Sequence, residues 1–142
     1  MHGITITTKK NRDLEFVIAK AISAFMNTKG GLLVIGIDDN KIVLGIENDL
    51  KLLRKQDEDG FQLKITEIIK NYIGKESAQL VHSTFEIKED NKKVALVHVT
   101  RSDEQTYVTK DKVPYFFIRT NNSTEPMNIK EANRYIKKHW PN

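Results

Sequence analysis

The sequence predicts an α+β fold, in which helices pack on a mostly antiparallel or mixed sheet. Segments with apolar residues at helical spacing are interspersed with short runs that alternate, or are continuously apolar, as strands do. The predicted order is strand, helix, hairpin, two helices, several strands and a last helix, which is typical of α+β proteins. The 142 residues, 39% of them hydrophobic, suffice for one core, so we expect a single domain over residues 1–142.

The first predicted helix ends in a glycine pair. Residues 4–7 alternate as a short strand, and Asp13 is a suitable cap for a helix that runs to about Thr28. Gly30 and Gly31 end this helix, because glycine readily adopts the left-handed conformation found at helix ends. The chain is therefore expected to turn sharply here from a helix into a strand.

A hairpin is predicted directly after the glycine pair. Residues 32–37 form a continuous apolar run, which is typical of a strand covered on both faces. Residues 38–40 have strong turn chemistry, and residues 42–46 are predicted to return as a second strand. Asn48 or Asp49 is the expected cap of a short helix that follows.

The second half of the chain is predicted to contain two helices and four strands. Residues 61–73 have one apolar helical face, and residues 81–87 and 93–100 read as paired strands across a turn. Residues 107–119 form a further hairpin, and Asn128 caps a C-terminal helix to about His139. His82 and His98 could face each other on the paired strands, and a structural role is expected for them.

Composition excludes several functional classes. The chain has no cysteine, which removes disulfides, cysteine–zinc sites and thiol catalysis. Its longest apolar run is too short to cross a bilayer, so we expect a cytoplasmic protein without a membrane partner. The net charge of +4 and isoelectric point near 9.2 are compatible with a polyanionic partner.

Three stretches carry a resemblance to a known family. They are AFMNTKGGLLVIGIDD at residues 24–39 followed by VLGI at 43–46, Arg101-Ser102 ahead of Tyr107, and PYFFIRTNNSTEP at residues 114–126. In this order and spacing they resemble the Schlafen-type AlbA-like domain, a family described as DNA-binding, over about residues 14–140. The resemblance implies a nucleic-acid-binding domain, of DNA or RNA, from a transcriptional regulator or a larger protein.

The candidate binding residues are polar or basic. Arginine offers a rigid fork that suits phosphate oxygens, and small hydroxyl and amide side chains in a loop can add contacts. The C-terminal helix has basic residues spaced by four, which form one stripe opposite Ile129, Ala132 and Ile136. We expect these cations to converge with Arg119 on one concave face. The candidates are Asn27, Thr28, Lys29, Arg119, Asn122, Ser123, Thr124, Lys130, Arg134 and Lys138.

Each candidate also has a structural interpretation. Residues at a helix end often satisfy terminal carbonyls, a charged helix face is often only solvated, and Ser123 or Thr124 could start the last helix. Asparagine tolerates a positive φ, so Asn121 can stand where the family usually has glycine.

Asp38 and Asp39 are weak catalytic candidates. A carboxylate at a strand end can hold a divalent metal for phosphodiester cleavage, as Schlafen-type ribonucleases do with further glutamates before the first helix. This sequence lacks that glutamate pattern, since Lys10 stands five residues before Glu15. The departure is consistent with a divergent member or with a fragment of a longer protein. We therefore predict a turn role for both aspartates.

The function predicted is nucleic-acid binding through a basic face, without cofactor or metal, and compatible with a homodimer; the sequence favours a non-enzyme but does not decide the question. Two alternatives stay open. One is a metal-dependent endoribonuclease, and the other is a nucleotide-sensing or protein-interaction module that grips a phosphate-bearing ligand with residues 121–126.

Overall fold

A computed structural model describes residues 2–4, 12–121 and 123–141, and it has the α+β fold that the sequence predicts. Within these residues the helices are α1 (Arg12–Met26), α2 (Glu47–Leu50), α3 (Glu58–Tyr72) and α4 (Ile129–His139), with 3-10 turns at Lys75–Leu80 and Glu89–Asn91. The strands are β1 (His2–Ile4), β2 (Gly31–Ile35), β3 (Val81–Ile87), β4 (Lys93–Val99), β5 (Val108–Lys110), β6 (Val113–Thr120) and β7 (Ser123–Met127).

The larger sheet is mixed and has the strand order β1-β2-β4-β3. Strand β1 is parallel to β2, and the other two pairings are antiparallel. Leu33 lies opposite Val97, and Phe85 lies opposite Ala95, so one face of the sheet is apolar. This face packs against α1 and α3, with Ile22, Ile65 and Ile69 fully buried.

The smaller sheet has the order β5-β6-β7 and lies between two helices. Side chains alternate along a strand, so Phe117 of β6 joins the core with α1. Phe116 and Ile118 point the other way and form a second cluster with Ala132 of α4. The two faces of strand β6 therefore pack against different helices, one against α1 and the other against α4.

The predicted return strand at residues 42–46 is wrong. In this segment, all of which the structure describes, one isolated bridge joins Ile37 to Val43, after Gly36 has turned the chain with a φ of +112°. The reason is the sheet order, because β1 and β4 already occupy both edges of β2. A hairpin partner would need one of those edges.

The predicted N-cap is correct for α4 but wrong for α2 and α1. Asn128 caps α4 as predicted, since its Oδ1 accepts from Glu131 N at 2.8 Å and Asn128 N donates to Glu131 Oε1. Asn48 and Asp49 do not cap α2, whose N-cap is Ile46. Helix α1 begins at Arg12, so Asp13 lies inside it instead of capping it.

Asp49 lies in the short helix α2, and its carboxyl group is buried in the protein. The Asp49 side chain is 7% exposed, and its Oδ1 has no hydrogen-bond partner among the described residues. Burial raises the pKa of Asp49 from 3.8 to about 6. The folded state thus holds this proton more tightly than the unfolded state does, and stability falls as pH rises from 3.8 to about 6.

Replacing Asp49 with asparagine removes this pH dependence. We expect the free energy of unfolding of the wild type, relative to Asp49→Asn, to fall by about 3 kcal/mol between about pH 4 and about pH 7. Urea unfolding of both proteins across this range measures the difference, and the other titrating groups cancel because both proteins share them. Parallel pH profiles would contradict the burial of this carboxyl group.

Candidate functional site

The turn between α1 and β2, residues 27–30, brings several segments of the chain together. Gly30 has a φ of +74°, and a Cβ built there would lie 2.7 Å from Val99 O and 3.1 Å from Arg101 N. A Cβ at Gly31 would overlap the ring of Phe25. Gly30 therefore lets the end of β4 pass against the turn, which places Arg101 beside it, and Gly31 leaves room for the Phe25 ring.

Asn27 is a buried junction in this turn. It has 0% exposure, and its Nδ2 donates to the carbonyl oxygens of Thr106 and Phe117, each at 2.9 Å. Its Oδ1 accepts from Thr106 N at 2.8 Å and from Thr106 Oγ1 at 3.1 Å. The Tyr135 hydroxyl donates to Asn27 O at 2.6 Å. These bonds tie α1, β6 and α4 together, so the Asn27 side chain is enclosed by the protein's own groups.

Thr28 and Lys29 differ from Asn27 in exposure. Thr28 Oγ1 donates to Ala24 O at 2.7 Å and accepts from Arg119 N at 3.0 Å, so it fixes β6 against the end of α1. Lys29 is exposed. Lys29 is the one charged residue among the three candidates in the turn, and its side chain is exposed to solvent.

Arg119 is held in a defined position at the same turn. Its guanidinium carbon lies 5.5 Å from the ring centre of Phe25, and Nη1 donates to Thr124 Oγ1 at 3.2 Å. Partial burial lowers the pKa of Arg119, but arginine remains charged at neutral pH. Thr124, its neighbour across the β6–β7 pair, uses one of the five N–H donors. Other donors can therefore bind an anion.

Arg101 joins this turn to the end of α4. Its Nη2 donates to the carbonyl oxygen of His139, the last residue of α4, at 3.1 Å. A cation is favourable there, because the C-terminal end of a helix carries partial negative charge. Burial and the nearby Arg101 charge both lower the pKa of His139. Trp140 Nε1 donates to Ser102 O at 3.0 Å and completes the docking of the helix end.

Helix α4 carries four cations on its outer side. Ala132 and Ile136 of the predicted apolar face pack against the body of the protein together with Tyr135, whereas Ile129 is 82% exposed and does not. The exposed cations are Lys130, Arg134, Lys137 and Lys138. Their stripe lies opposite the buried face, as predicted.

The convergence of Arg119 with this stripe on one concave face stays a prediction. Arg119 shares the face of β6 that carries Phe117 and meets α1, whereas Phe116 and Ile118 on the opposite face meet α4. The backbones of Lys29, Arg101 and Arg119 come together at the α1–β2 turn. We call Lys29, Arg101 and Arg119 the turn cations.

The turn cations have no carboxylate partner in the described part of the chain. The five salt bridges among the described side chains involve other lysines, namely Lys55, Lys64, Lys88 and Lys93. The cations of α4 are also outside these pairs. Unpaired positive charge therefore occurs at the turn and along α4, as it also does at exposed lysines elsewhere such as Lys70 and Lys75.

Acidic side chains line a separate cleft. The cleft has a volume of about 300 Å³ and lies between the Lys75–Leu80 turn and the chain before β5. Glu76, Asp103 and Glu104 line it, and its described lining includes no lysine or arginine. A phosphate group would be repelled there, so the cleft is a poor site for a nucleotide.

Asp38 has the structural role that its turn chemistry predicts. Its Oδ1 accepts from Asn40 N and Ile42 N, each at 2.9 Å, and so closes the turn after β2. Asp39 is exposed, and Glu15 pairs with Lys64 at 2.8 Å. Among the described residues, no three histidine or acidic side chains form a group that could hold a metal. The opening segment with Lys9 and Lys10 lies outside the described residues.

The remaining candidates lie in the β6–β7 hairpin. Ser123 and Thr124 begin β7 and do not start the last helix. Ser123 Oγ contacts Glu125 Oε2 at 2.5 Å and Thr120 Oγ1 at 3.3 Å. Asn121 has a φ of +40°, which supports the prediction that asparagine can replace glycine there. Asn122 lies outside the described residues.

Comparisons with known proteins agree with this fold. The family model described as Schlafen, AlbA_2 matches residues 4–128. The crystal structure of the DIP2311 protein from Corynebacterium diphtheriae is similar, with 17% sequence identity and a TM-score of 0.61. The similarity covers 92% of this chain but 23% of that one, so it concerns the fold of one part of a longer protein. None of the helices in the described ranges is sufficiently long and apolar to span a membrane.

Proposed function

The chain belongs to the Schlafen AlbA_2 family, and on that premise we propose that it binds nucleic acid through the phosphate backbone at the turn cations. One observation carries the proposal. The backbones of Lys29, Arg101 and Arg119 come from three separate segments and meet at the α1–β2 turn, and none of the three side chains has a salt bridge among the described residues.

The chemistry of these groups suits phosphate. An arginine fork can donate two parallel hydrogen bonds to phosphate oxygens, and Arg119 is pre-positioned by Phe25 and Thr124. Lys137 and Lys138 lie in the last turn of α4, next to the contact of Arg101 with His139, and extend the positive surface. Contacts of this kind fix a duplex in place but read no bases. We therefore expect binding that depends little on sequence.

Salt dependence tests the proposal directly. Neutralising each phosphate releases condensed counterions, so three contacts give a plot of log Kobs against log salt with a slope of about −3. Fluorescence anisotropy with labelled DNA duplex, RNA duplex and single strands at several salt concentrations measures this slope and the preferred substrate. Absence of binding at low salt, or binding that salt does not change, would remove the proposal.

Free nucleotides distinguish this function from nucleotide sensing. A ligand that binds the folded state raises its melting temperature by mass action. We expect an oligonucleotide to stabilise the protein more than a nucleoside triphosphate at equal phosphate concentration, because three separated cations match a chain of phosphates. The opposite order in thermal shift would favour a nucleotide-sensing module.

A further inference from the structure

Strand β3 leaves one edge of the larger sheet open. It is the last strand in the order β1-β2-β4-β3, and no described strand pairs with its outer edge. Its sequence, VHSTFEI, contains no proline or glycine that would blunt such an edge. An open edge of seven residues is long enough to accept another strand.

The hydrogen bonds at both ends of β3 show which residues point outward. Leu80 O accepts from Thr100 N at 2.9 Å, and Lys88 N donates to Lys92 O at 2.7 Å. Residues in an antiparallel pair alternate between bonding to the partner and pointing away from it. The even-numbered residues therefore bond to β4. The backbone groups of Val81, Ser83, Phe85 and Ile87 point to the open edge.

We propose that a second copy of this chain pairs with this edge, antiparallel, about a two-fold axis at Thr84. In this register Val81 lies opposite the partner's Ile87, and Ser83 lies opposite the partner's Phe85. Both pairs join outward-pointing residues, so each can exchange two hydrogen bonds across the interface. The register uses all seven residues of β3.

The side chains of β3 are complementary in the same register. His82 lies opposite the partner's Glu86, and an imidazole N–H can donate to that carboxylate. Ile87, which is 59% exposed in the single chain, would meet the partner's Val81. On the same face, His98 stacks on His82 at a ring distance of 4.6 Å and accepts or donates a hydrogen bond with Thr84 Oγ1 at 2.9 Å. These contacts confirm that the two histidines face each other, and they hold His82 in place.

A shift in register loses this complementarity. An axis at Phe85 leaves Val81 and His82 without partners on β3, and it places Glu86 opposite Thr84. An axis at Ser83 leaves Glu86 and Ile87 outside the paired strands. The complementarity of charge and apolar contact therefore points to a second copy in one register.

Sedimentation of the full chain over a range of protein concentrations tests this proposal. We expect a monomer–dimer equilibrium for the wild type. Ser83→Pro should abolish the dimer and leave the β3–β4 pairing intact, because the N–H of Ser83 points outward. A wild type that stays monomeric at millimolar concentration, or a folded Ser83→Pro protein that dimerises as the wild type does, would overturn the proposal.

A charge exchange tests the register without proline. Glu86→Lys should raise the dimer dissociation constant about tenfold, since it places Lys opposite His82 in both symmetric positions. The double change His82→Glu with Glu86→Lys should restore dimerisation. The ion pair of Glu86 with Lys88 at 3.1 Å is exposed, so its loss should leave the fold unaffected. Failure of the double change to restore the dimer would refute this register.

Discussion

Replacing Arg101 and Arg119 together with glutamine is expected to weaken binding to a DNA duplex about a hundredfold at low salt. Each arginine is expected to hold one phosphate, and a charge-assisted contact contributes roughly 1.5 kcal/mol or more. The slope of log Kobs against log salt should also become less negative by about 2, because two fewer counterions are released. Anisotropy titrations of wild type and variant measure both quantities.

A matched control separates the position of the charges from their number. Lys70 and Lys75 are exposed, lie in α3 and in the 3-10 turn after it, and form no salt bridge among the described side chains. The double change Lys70→Gln with Lys75→Gln lowers the net charge equally. We expect it to change affinity less than about threefold. An equal loss in both double variants would show that net charge alone governs binding.

Replacing Asn27 with alanine is expected to lower the free energy of unfolding by about 4 kcal/mol. The change leaves three buried backbone groups without their partners: Thr106 N–H, Thr106 C=O and Phe117 C=O. Each such group costs about 1–3 kcal/mol when it is buried unsatisfied. Urea unfolding measures the loss. Asn71→Ala, at an exposed position of α3, is the matched control and should change stability by less than about 0.5 kcal/mol.

The same variant decides between two roles for Asn27. The sequence suggests a binding residue, whereas the structure surrounds its side chain with the protein's own groups. An Asn27→Ala protein that is as stable as the wild type but has lost nucleic-acid binding would support direct contact with the ligand. A less stable protein with normal affinity below its melting temperature would support the junction role.

Local chemistry explains the parts of the fold that the sequence predicted. The Gly30-Gly31 pair, the apolar face of α3 and the cap at Asn128 each act within a few residues, so their patterns are visible in the chain. Residues 42–46 were predicted as a strand because they are apolar and follow a turn. Their conformation depends on which strands flank β2, and that is decided by β1 and β4, far away in sequence.

The candidate site was predictable by residue type but not by arrangement. The sequence identified Arg119 and Lys29 as candidate binding residues. The direction of the Arg119 side chain, however, depends on how β6 packs between α1 and α4. Arg101 was not among the candidates, although it belongs to one of the three stretches that resemble the family. Its place at the turn depends on contact with Gly30 and with the end of α4, 38 residues away. No local pattern encodes such contacts.

The central claim is that nucleic acid binds at the α1–β2 turn, and amide chemical shifts test it most directly. We would titrate isotopically labelled protein with a short DNA duplex and, separately, an RNA duplex, and follow the backbone amides by NMR. The largest shifts are expected at Lys29, Arg101 and Arg119 and in the last turn of α4, with small shifts in α3. Shifts confined to α3 or to the acidic cleft, with none at the turn, would contradict the claim.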